Sequence, residues 1–295
     1  PTLPSFHPSV LPSLYHPRFR SFMPFVTDIE RPPVVDHCQT MAIFLKLLLT
    51  PVLIAIATLA ARRYGLALGG WLAGLPLVSA PVLIFLALDE GPDFAATAAL
   101  AGLLGLVAVA SFCLAYVLVA RKAGWLPAAL AGIVAYLLCA SFLARLSAGP
   151  AVSFFLALAA IFAARTIAGR PSLGAAAKVV SWWDIPLRMA SAAFMVLAIT
   201  QCALFLGARW SCLLSPFPVF ASIMAVFSHR EVGQAGARRL LSGVITGSAA
   251  SASFFLFVGW MVRQHTLLYT YSAAAGAALL VSWICLFVFI PGDRG

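Results

Sequence analysis

Long apolar runs separated by short polar connections dominate the chain from residue 43 to residue 290. A helix needs about 20 apolar residues to cross the hydrocarbon of a bilayer. The pattern therefore predicts an all-α protein, a polytopic bundle of about nine transmembrane helices. The predicted spans are 43–61, 66–88, 94–120, 124–144, 147–164, 186–207, 210–228, 240–262 and 266–290.

The composition narrows the class of protein. Hydrophobic residues make up 63% of the chain and charged residues 9%, whereas soluble domains carry about 25% charged residues. The net charge of +10 could suggest a nucleic-acid partner, but the basic residues stand at the ends of apolar segments. That placement follows the positive-inside rule of membrane proteins, so we expect no nucleic acid.

The basic residues also orient the chain. If Arg62 and Arg63 lie in the cytoplasm, alternation of the spans places 12 of the 19 Lys and Arg residues on that side. Cytoplasmic loops carry an excess of Lys and Arg. We therefore expect a multi-pass protein with its N-terminus outside and its C-terminus in the cytoplasm.

Residues 1–40 differ from the rest of the chain. They are rich in Pro, Ser and His and show no hydrophobic period. We interpret them as a disordered tail that is not native sequence, with translation starting at Met41, and we expect a chain that begins there to insert normally. The alternative is a genuine extramembrane tail.

A shift of 142 residues aligns residues 43–143 with the second half of the chain without a gap. We interpret the match as an internal duplication. The pairs that carry most weight are Lys46 with Arg188, Pro76 with Pro218, Asp89 with Glu231, Gly105 with Gly247, and Arg121 with Arg263.

The duplication predicts a division of the chain after the tail. Residues 41–144 form a first four-helix repeat, 145–185 a linker helix with a cytoplasmic connection, and 186–295 a second four-helix repeat. The single linker helix inverts the second repeat relative to the first, giving a 4+1+4 inverted repeat. Inverted repeats are common in secondary transporters, where they permit alternating access.

The second repeat contains Leu-Leu-Ser-Pro-Phe-Pro-Val-Phe-Ala at 213–221, followed by His-Arg-Glu-Val-Gly at 229–233 and Ala-Arg at 237–238. This order resembles the GlpM family of small bacterial inner-membrane proteins. In the first repeat, Gly-Leu-Pro at 74–76 replaces Ser-Pro-Phe-Pro. The resemblance covers about residues 43–290 and implies a bacterial inner-membrane location. By its name, the family is linked to glycerol metabolism and envelope polysaccharide production.

Helix breakers interrupt the second and seventh spans at aligned positions. Interrupted segments in matching places of two halves point to the binding site of a transporter. We expect the two segments to face each other near the middle of the bundle. The alternative is that the breaks are kinks that serve packing alone. The predicted substrate pathway contains Gly70, Trp71, Gly74, Pro76, Ser79, Pro81, Ser211, Ser215, Pro216, Pro218 and Ser222.

The sequence contains little chemistry for catalysis. It has no metalloprotease, nucleophile-elbow or phosphate-loop motif, so we expect no enzyme, cofactor or metal. Every Asp and Glu near a span lies at a loop or helix end, which argues against a carboxylate-based proton pump or Na⁺ carrier. We interpret the aligned basic residues Lys46 and Arg188 as interfacial anchors, with a symmetric anion-attracting gate as the alternative.

Two functions remain. The first is a carrier for a small neutral or anionic solute in the bacterial inner membrane. The alternative is a non-transporting accessory or scaffold protein of envelope polysaccharide biosynthesis. The expected partners are the lipid bilayer, a small solute, and either a second copy of the chain or a protein of envelope biosynthesis.

Overall fold

The fold is an assembly of apolar helices joined by short turns. The computed structural model describes residues 34–146, 148–169, 183–206 and 217–289, and within these ranges all regular structure is helical. The helices are α1 (Val34–Tyr64), α2 (Leu66–Gly74), α3 (Ser79–Asp89), α4 (Pro92–Ala120), α5 (Trp125–Leu143), α6 (Pro150–Ala168), α7 (Asp184–Leu206), α8 (Val219–Val232), α9 (Gln234–Met261) and α10 (Leu267–Phe289).

The membrane-spanning character of the fold is confirmed. Within the described residues, seven segments are long and apolar enough to cross a bilayer, and one of them comprises α2 and α3 together, over Leu66–Asp89. The protein is therefore an all-α, polytopic membrane helix bundle. The duplication and the domain limits inferred from it stay predictions, and most of the tail, residues 1–33, lies outside the described residues.

The seventh predicted span differs from the helix observed. The prediction was a helix over 210–228, whereas α8 begins at Val219 and continues to Val232. Pro218 is the residue that precedes α8, and a proline is well placed at a helix start because it needs no helical N–H partner. Residues 207–216, which contain the first part of the predicted span, lie outside the described ranges.

The second span is interrupted near its middle, as the breakers in its sequence predict. Pro76 has no N–H to donate to the carbonyl of Leu72, so α2 ends there. The N–H of Leu75 donates to that carbonyl instead, at 3.3 Å, and Leu75 itself is extended, with φ −73° and ψ 155°. The chain turns helical again at Ser79, where the N–H of Ala80 donates to the carbonyl of Pro76 at 2.8 Å.

Helix α9 lies at the centre of the bundle. Its most apolar 18-residue stretch is 83% buried, against 56% for α4 and 28% or less for every other segment of the described chain that could span a membrane. It packs against α2, α4, α6, α8 and α10. Many of its buried residues are Gly, Ala and Ser, and such small side chains let neighbouring helices approach closely.

Contacts between helix ends agree with an alternating arrangement of the spans. Arg62 at the end of α1 contacts Asp184 at the start of α7, and Arg238 near the start of α9 reaches the carbonyl of Ala168 at the end of α6. At the opposite end, Arg263 pairs with Asp93 at 2.8 Å. These ends are the ones that alternation places on common sides. Which side faces the cytoplasm stays a prediction from the charge bias.

Candidate functional site

The first half of the interrupted span packs closely against α9. Gly70 and Gly74 on α2 and Gly243 and Gly247 on α9 form two glycine pairs, each with a spacing of four residues. A Cβ atom on any of the four would collide with a backbone carbonyl oxygen of the opposing helix, such as that of Leu240 for Gly70. Both helices therefore require glycine so that their backbones can touch.

The interruption after Gly74 is also hydrogen-bonded to α9. The carbonyl of Gly74 has lost its helical partner because the chain is no longer helical at 75–78. Ser251 of α9 donates its hydroxyl to this carbonyl at 2.7 Å. An unpaired carbonyl is costly away from water, so the serine stabilises the interrupted conformation.

Other predicted pathway residues of the second span lie around this break. The ring of Trp71 is half-buried, and its indole N–H is shielded from solvent and has no acceptor among the described residues. Ser79 and Pro81 lie half-buried in the first turn of α3. The structure thus brings Trp71, Gly74 and Pro76 to one interruption.

The predicted pathway residues of the seventh span are only partly described. Ser211, Ser215 and Pro216 lie outside the described residues. Pro218 precedes α8, and Ser222 is buried in its first turn, where its hydroxyl donates to the carbonyl of Val219 at 2.9 Å.

The expected pairing of the second and seventh spans stays a prediction, because residues 210–216 of the seventh span lie outside the described residues. Helix α2 does contact α8, but its main partner is α9. The physical reason is the glycine pairs, which allow a backbone contact with α9 that the side chains of α8 do not permit.

A buried ion-pair cluster lies at the helix ends on the α1–α7–α8 side of the bundle. Arg188 of α7 is only 3% exposed, and its Nε donates to both carboxylate oxygens of Asp184, at 2.8 and 2.9 Å. Its Nη2 donates to Glu231 of α8 at 2.6 Å. Arg62 of α1 donates to Asp184 at 2.9 Å. Two guanidinium groups and two carboxyl groups therefore join three helices.

The walls of the cluster are apolar and polarisable. The guanidinium carbon of Arg188 lies 4.8 Å from the ring centroid of Phe227, and its Nη1 lies 3.7 Å from the sulfur of Met224. A cation over an aromatic face is stabilised by the ring quadrupole. Arg188 is therefore held by contacts with both α7 and α8.

The pKa values of the two carboxyl groups in the cluster are shifted in opposite directions. Burial alone would raise the pKa of Asp184, but its hydrogen bonds with Glu231, Arg188 and Arg62 outweigh burial and hold the pKa below its ordinary value. Burial and the hydrogen bond with Asp184 raise the pKa of Glu231, and Arg188 opposes this only in part. Asp184 is therefore the ionised member and Glu231 the protonatable one.

Basic side chains from three helices meet at the end of α6. Arg121 of α4 donates to the carbonyl of Ile167 at 3.2 Å, Arg238 of α9 to that of Ala168 at 3.0 Å, and Arg165 to that of Gly169 at 3.3 Å. The last carbonyls of a helix lack helical partners and carry partial negative charge. The arginines thus serve as a cap that fastens α6 to α4 and α9.

A polar recess of about 310 Å³ opens beside this cap. It is lined by the turn between α4 and α5, including Arg121 and Lys122, and by His229 and Gln234. His229 also lies 3.2 Å from the hydroxyl of Tyr116, and its burial lowers the pKa of its imidazole. Among the described residues, no group of three His, Cys, Asp or Glu is arranged to hold a metal ion.

The sequence analysis did not identify Asp184 and Glu231 as site residues, because both stand at helix ends. Two signals could have found them. Asp184 and Arg188 have the i, i+4 spacing of an ion pair on one helix face. The 142-residue shift also aligns Arg188 and Glu231 with another opposite-charge pair, Lys46 and Asp89. The side chain of Lys46 lies outside the described part, so the proposed gate that includes it stays a prediction.

Comparisons with known proteins yield no relative. No protein-family model, curated protein or solved structure matches the chain. The class defined by the fold is therefore an integral membrane helix bundle, and the resemblance of its repeats to the GlpM family stays a prediction.

Proposed function

We propose that the protein is a carrier for a small neutral or anionic solute. The observation that supports this function best is the interruption of the second span. The four residues 75–78 lie near the middle of the 24-residue span Leu66–Asp89. In membrane proteins, non-helical backbone at this depth is tolerated where protein or a water-filled cavity satisfies it, and interrupted helices commonly form solute sites.

The chemistry at the interruption fits an uncharged or weakly anionic solute. Trp71 offers an aromatic face and an indole donor, and Ser79 offers a hydroxyl beside the break. The described residues around the break include no charged side chain. A neutral solute could replace the hydrogen bonds of water there without an ion-pair partner.

The solute class can be found by a stability screen. Purified protein in detergent is heated with a library of neutral and anionic metabolites, because a ligand that binds only the folded state stabilises it by about 2.7 kcal/mol at 100 times its dissociation constant. Radiolabelled forms of the stabilising compounds are then offered to proteoliposomes. We expect time-dependent uptake that saturates with concentration.

The role of the breaks is tested in the same liposomes. We expect Pro76→Ala combined with Pro218→Ala to reduce flux per inserted molecule more than it reduces expression, because straightened helices would lose the freed carbonyls. The matched control is Pro92→Ala with Pro150→Ala, since these exposed prolines stand at the first positions of α4 and α6.

Two results would count against the proposal. Unchanged flux in the first double variant would assign the breaks to architecture alone. If no compound stabilises the protein or enters the liposomes, while an envelope polysaccharide synthase co-purifies in fixed ratio, the accessory function would replace the carrier.

A further inference from the structure

In the cluster of Arg62, Asp184, Arg188 and Glu231, the two carboxyl groups accept different numbers of hydrogen bonds from the arginines. Asp184 accepts three hydrogen bonds of 2.8–2.9 Å, two from Arg188 and one from Arg62. Glu231 accepts one, from Nη2 of Arg188. Arg188 therefore serves two carboxyl groups but favours Asp184, and Glu231 retains an oxygen that no arginine of the cluster contacts.

The cluster also has a path for a proton. The side chains of Arg188 and Asp184 are 4% and 7% exposed, whereas that of Glu231 is 21% exposed. Glu231 stands in the last turn of α8, at the end of the bundle rather than at its centre. A proton from water can therefore reach Glu231 without crossing the apolar interior.

We propose that Glu231, beside Asp184, is a proton-binding site that controls the attachment of α8 to α7. With Glu231 ionised, two guanidinium groups balance two carboxylates and the cluster is neutral. When Glu231 binds one proton, its carboxyl group can donate a hydrogen bond to the carboxylate of Asp184, and the repulsion between the two carboxylates disappears. Hydrogen bonds to a charged acceptor are about twice as strong as neutral ones, so proton binding strengthens the link between the two helices.

The other contacts of the cluster survive this change. Arg188 keeps both bonds to Asp184 within α7, and Arg62 keeps its bond from α1 to the same carboxylate. The proton therefore acts selectively on α8, the helix that follows the second set of breakers. The use of this site to couple transport to protons rests on the carrier function proposed above, whereas proton binding itself does not.

The remaining charged groups near Glu231 have interactions of their own. On its own helix, His229 contacts Tyr116 of α4, and the guanidinium of Arg230 lies 5.5 Å from the ring centroid of Trp125 of α5. Of the helices that pack against α8, α2 and α5 carry no charged residue. On α9, Arg238 reaches the end of α6, and Arg239 also has an interaction of its own.

The groups of α7 that face Glu231 are Asp184 and Arg188, which belong to the cluster. Burial and the neighbouring Asp184 raise the pKa of Glu231 above its ordinary value of 4.5. The folded protein therefore binds this proton more tightly than the unfolded chain does. The stabilisation that results is fully present below pH 4.5 and is lost as the pH rises through the pKa of Glu231 in the folded protein.

Infrared difference spectroscopy of the full chain in liposomes measures this proton directly. The wild-type protein should show the C=O band of a protonated carboxylic acid that disappears with a midpoint above pH 4.5. Glu231→Gln should abolish that component, and Glu90→Gln, which changes an exposed carboxyl at the end of α3, should leave it. Asp184→Asn should move the midpoint to lower pH, because Arg188 would then serve Glu231 alone.

Each outcome decides the proposal. A wild-type spectrum without such a band overturns it, whether or not any variant folds. Persistence of the band in Glu231→Gln overturns the assignment, and an unmoved midpoint in Asp184→Asn overturns the sharing of Arg188. The second measurement is the melting temperature of the wild type and of Glu231→Gln as a function of pH. The wild-type value should fall relative to that of the variant as the pH rises above 4.5. If the two melting temperatures change with pH in parallel, Glu231 is not the proton-binding site. All of these results are independent of any transport assay.

Discussion

Helices α2 and α8, which belong to the second and seventh predicted spans, are held in the bundle by different physics. Helix α2 touches α9 backbone to backbone through glycines, and its break is tied by the hydroxyl of Ser251. Helix α8 is held by side chains. Its Glu231 pairs with Arg188, and the ring of Phe217, just before its start, lies edge-on to those of Phe112 and Tyr136, with centroids 6.3 and 5.1 Å away.

The sequence explains this difference. Helix α8 contains no glycine, whereas α2 contains Gly69, Gly70 and Gly74. Backbones cannot approach as closely where a Cβ intervenes. The contact between α2 and α9 thus depends on close packing of the backbones, which pH and solutes leave unchanged. The contacts of α8 depend on charged and aromatic side chains. A helix held by charge is the one whose attachment a proton can alter.

The largest effect is expected at the charged contact. Arg188→Ala would leave the buried Asp184 and the half-buried Glu231 without their shared partner, and removal of one member of a buried ion pair costs about 3–5 kcal/mol. The free energy of unfolding can be measured in mixed micelles with increasing SDS. Arg263→Ala is the control, because its pair with Asp93 is exposed and worth about 0–1 kcal/mol. Equal losses in the two variants would show that burial does not strengthen the Arg188 contact.

The glycine contact should be sensitive to a single added methyl group. Gly70→Ala forces its Cβ into the backbone of α9, and overpacking of this kind costs about 1–3 kcal/mol. Gly276→Ala on α10 is the matched control, since among the described residues no neighbouring atom lies within 4 Å of its added Cβ. Alanine favours a helix over glycine by about 1 kcal/mol, so the control should melt at the same or a higher temperature. If Gly70→Ala behaves as the control does, the two backbones are not in contact.

The hydrogen bond at the break should have the smallest effect. Ser251→Ala leaves the carbonyl of Gly74 without its described partner, which we expect to cost about 1 kcal/mol. Ser253→Ala is the control, because that hydroxyl donates to Ala250 within its own helix at 2.8 Å. Hydrogen exchange at residues 75–80 should rise in the first variant alone. Unchanged exchange would mean that Ser251 does not stabilise the interruption.

Much of the fold follows from the sequence because a membrane helix must be long, apolar and internally hydrogen-bonded. The lengths of the apolar runs located most helix boundaries to within a few residues, and Pro76 with its flanking glycines marked the interruption of the second span. These are local properties, since a proline lacks its N–H wherever the rest of the chain lies. The seventh span was less accurate, because α8 continues past its last apolar residues to Val232.

Only the tertiary structure decided which helices meet. Gly70 and Gly74 were predicted to lie on the substrate pathway, but the pattern within one helix does not say that they pack against α9 rather than α8. Asp184, Arg188 and Glu231 each look like ordinary charges at helix ends, where water would screen them. Packing of α7 against α8 buries them around one guanidinium, and burial converts three unremarkable residues into a coupled cluster whose protonation is linked to helix contact.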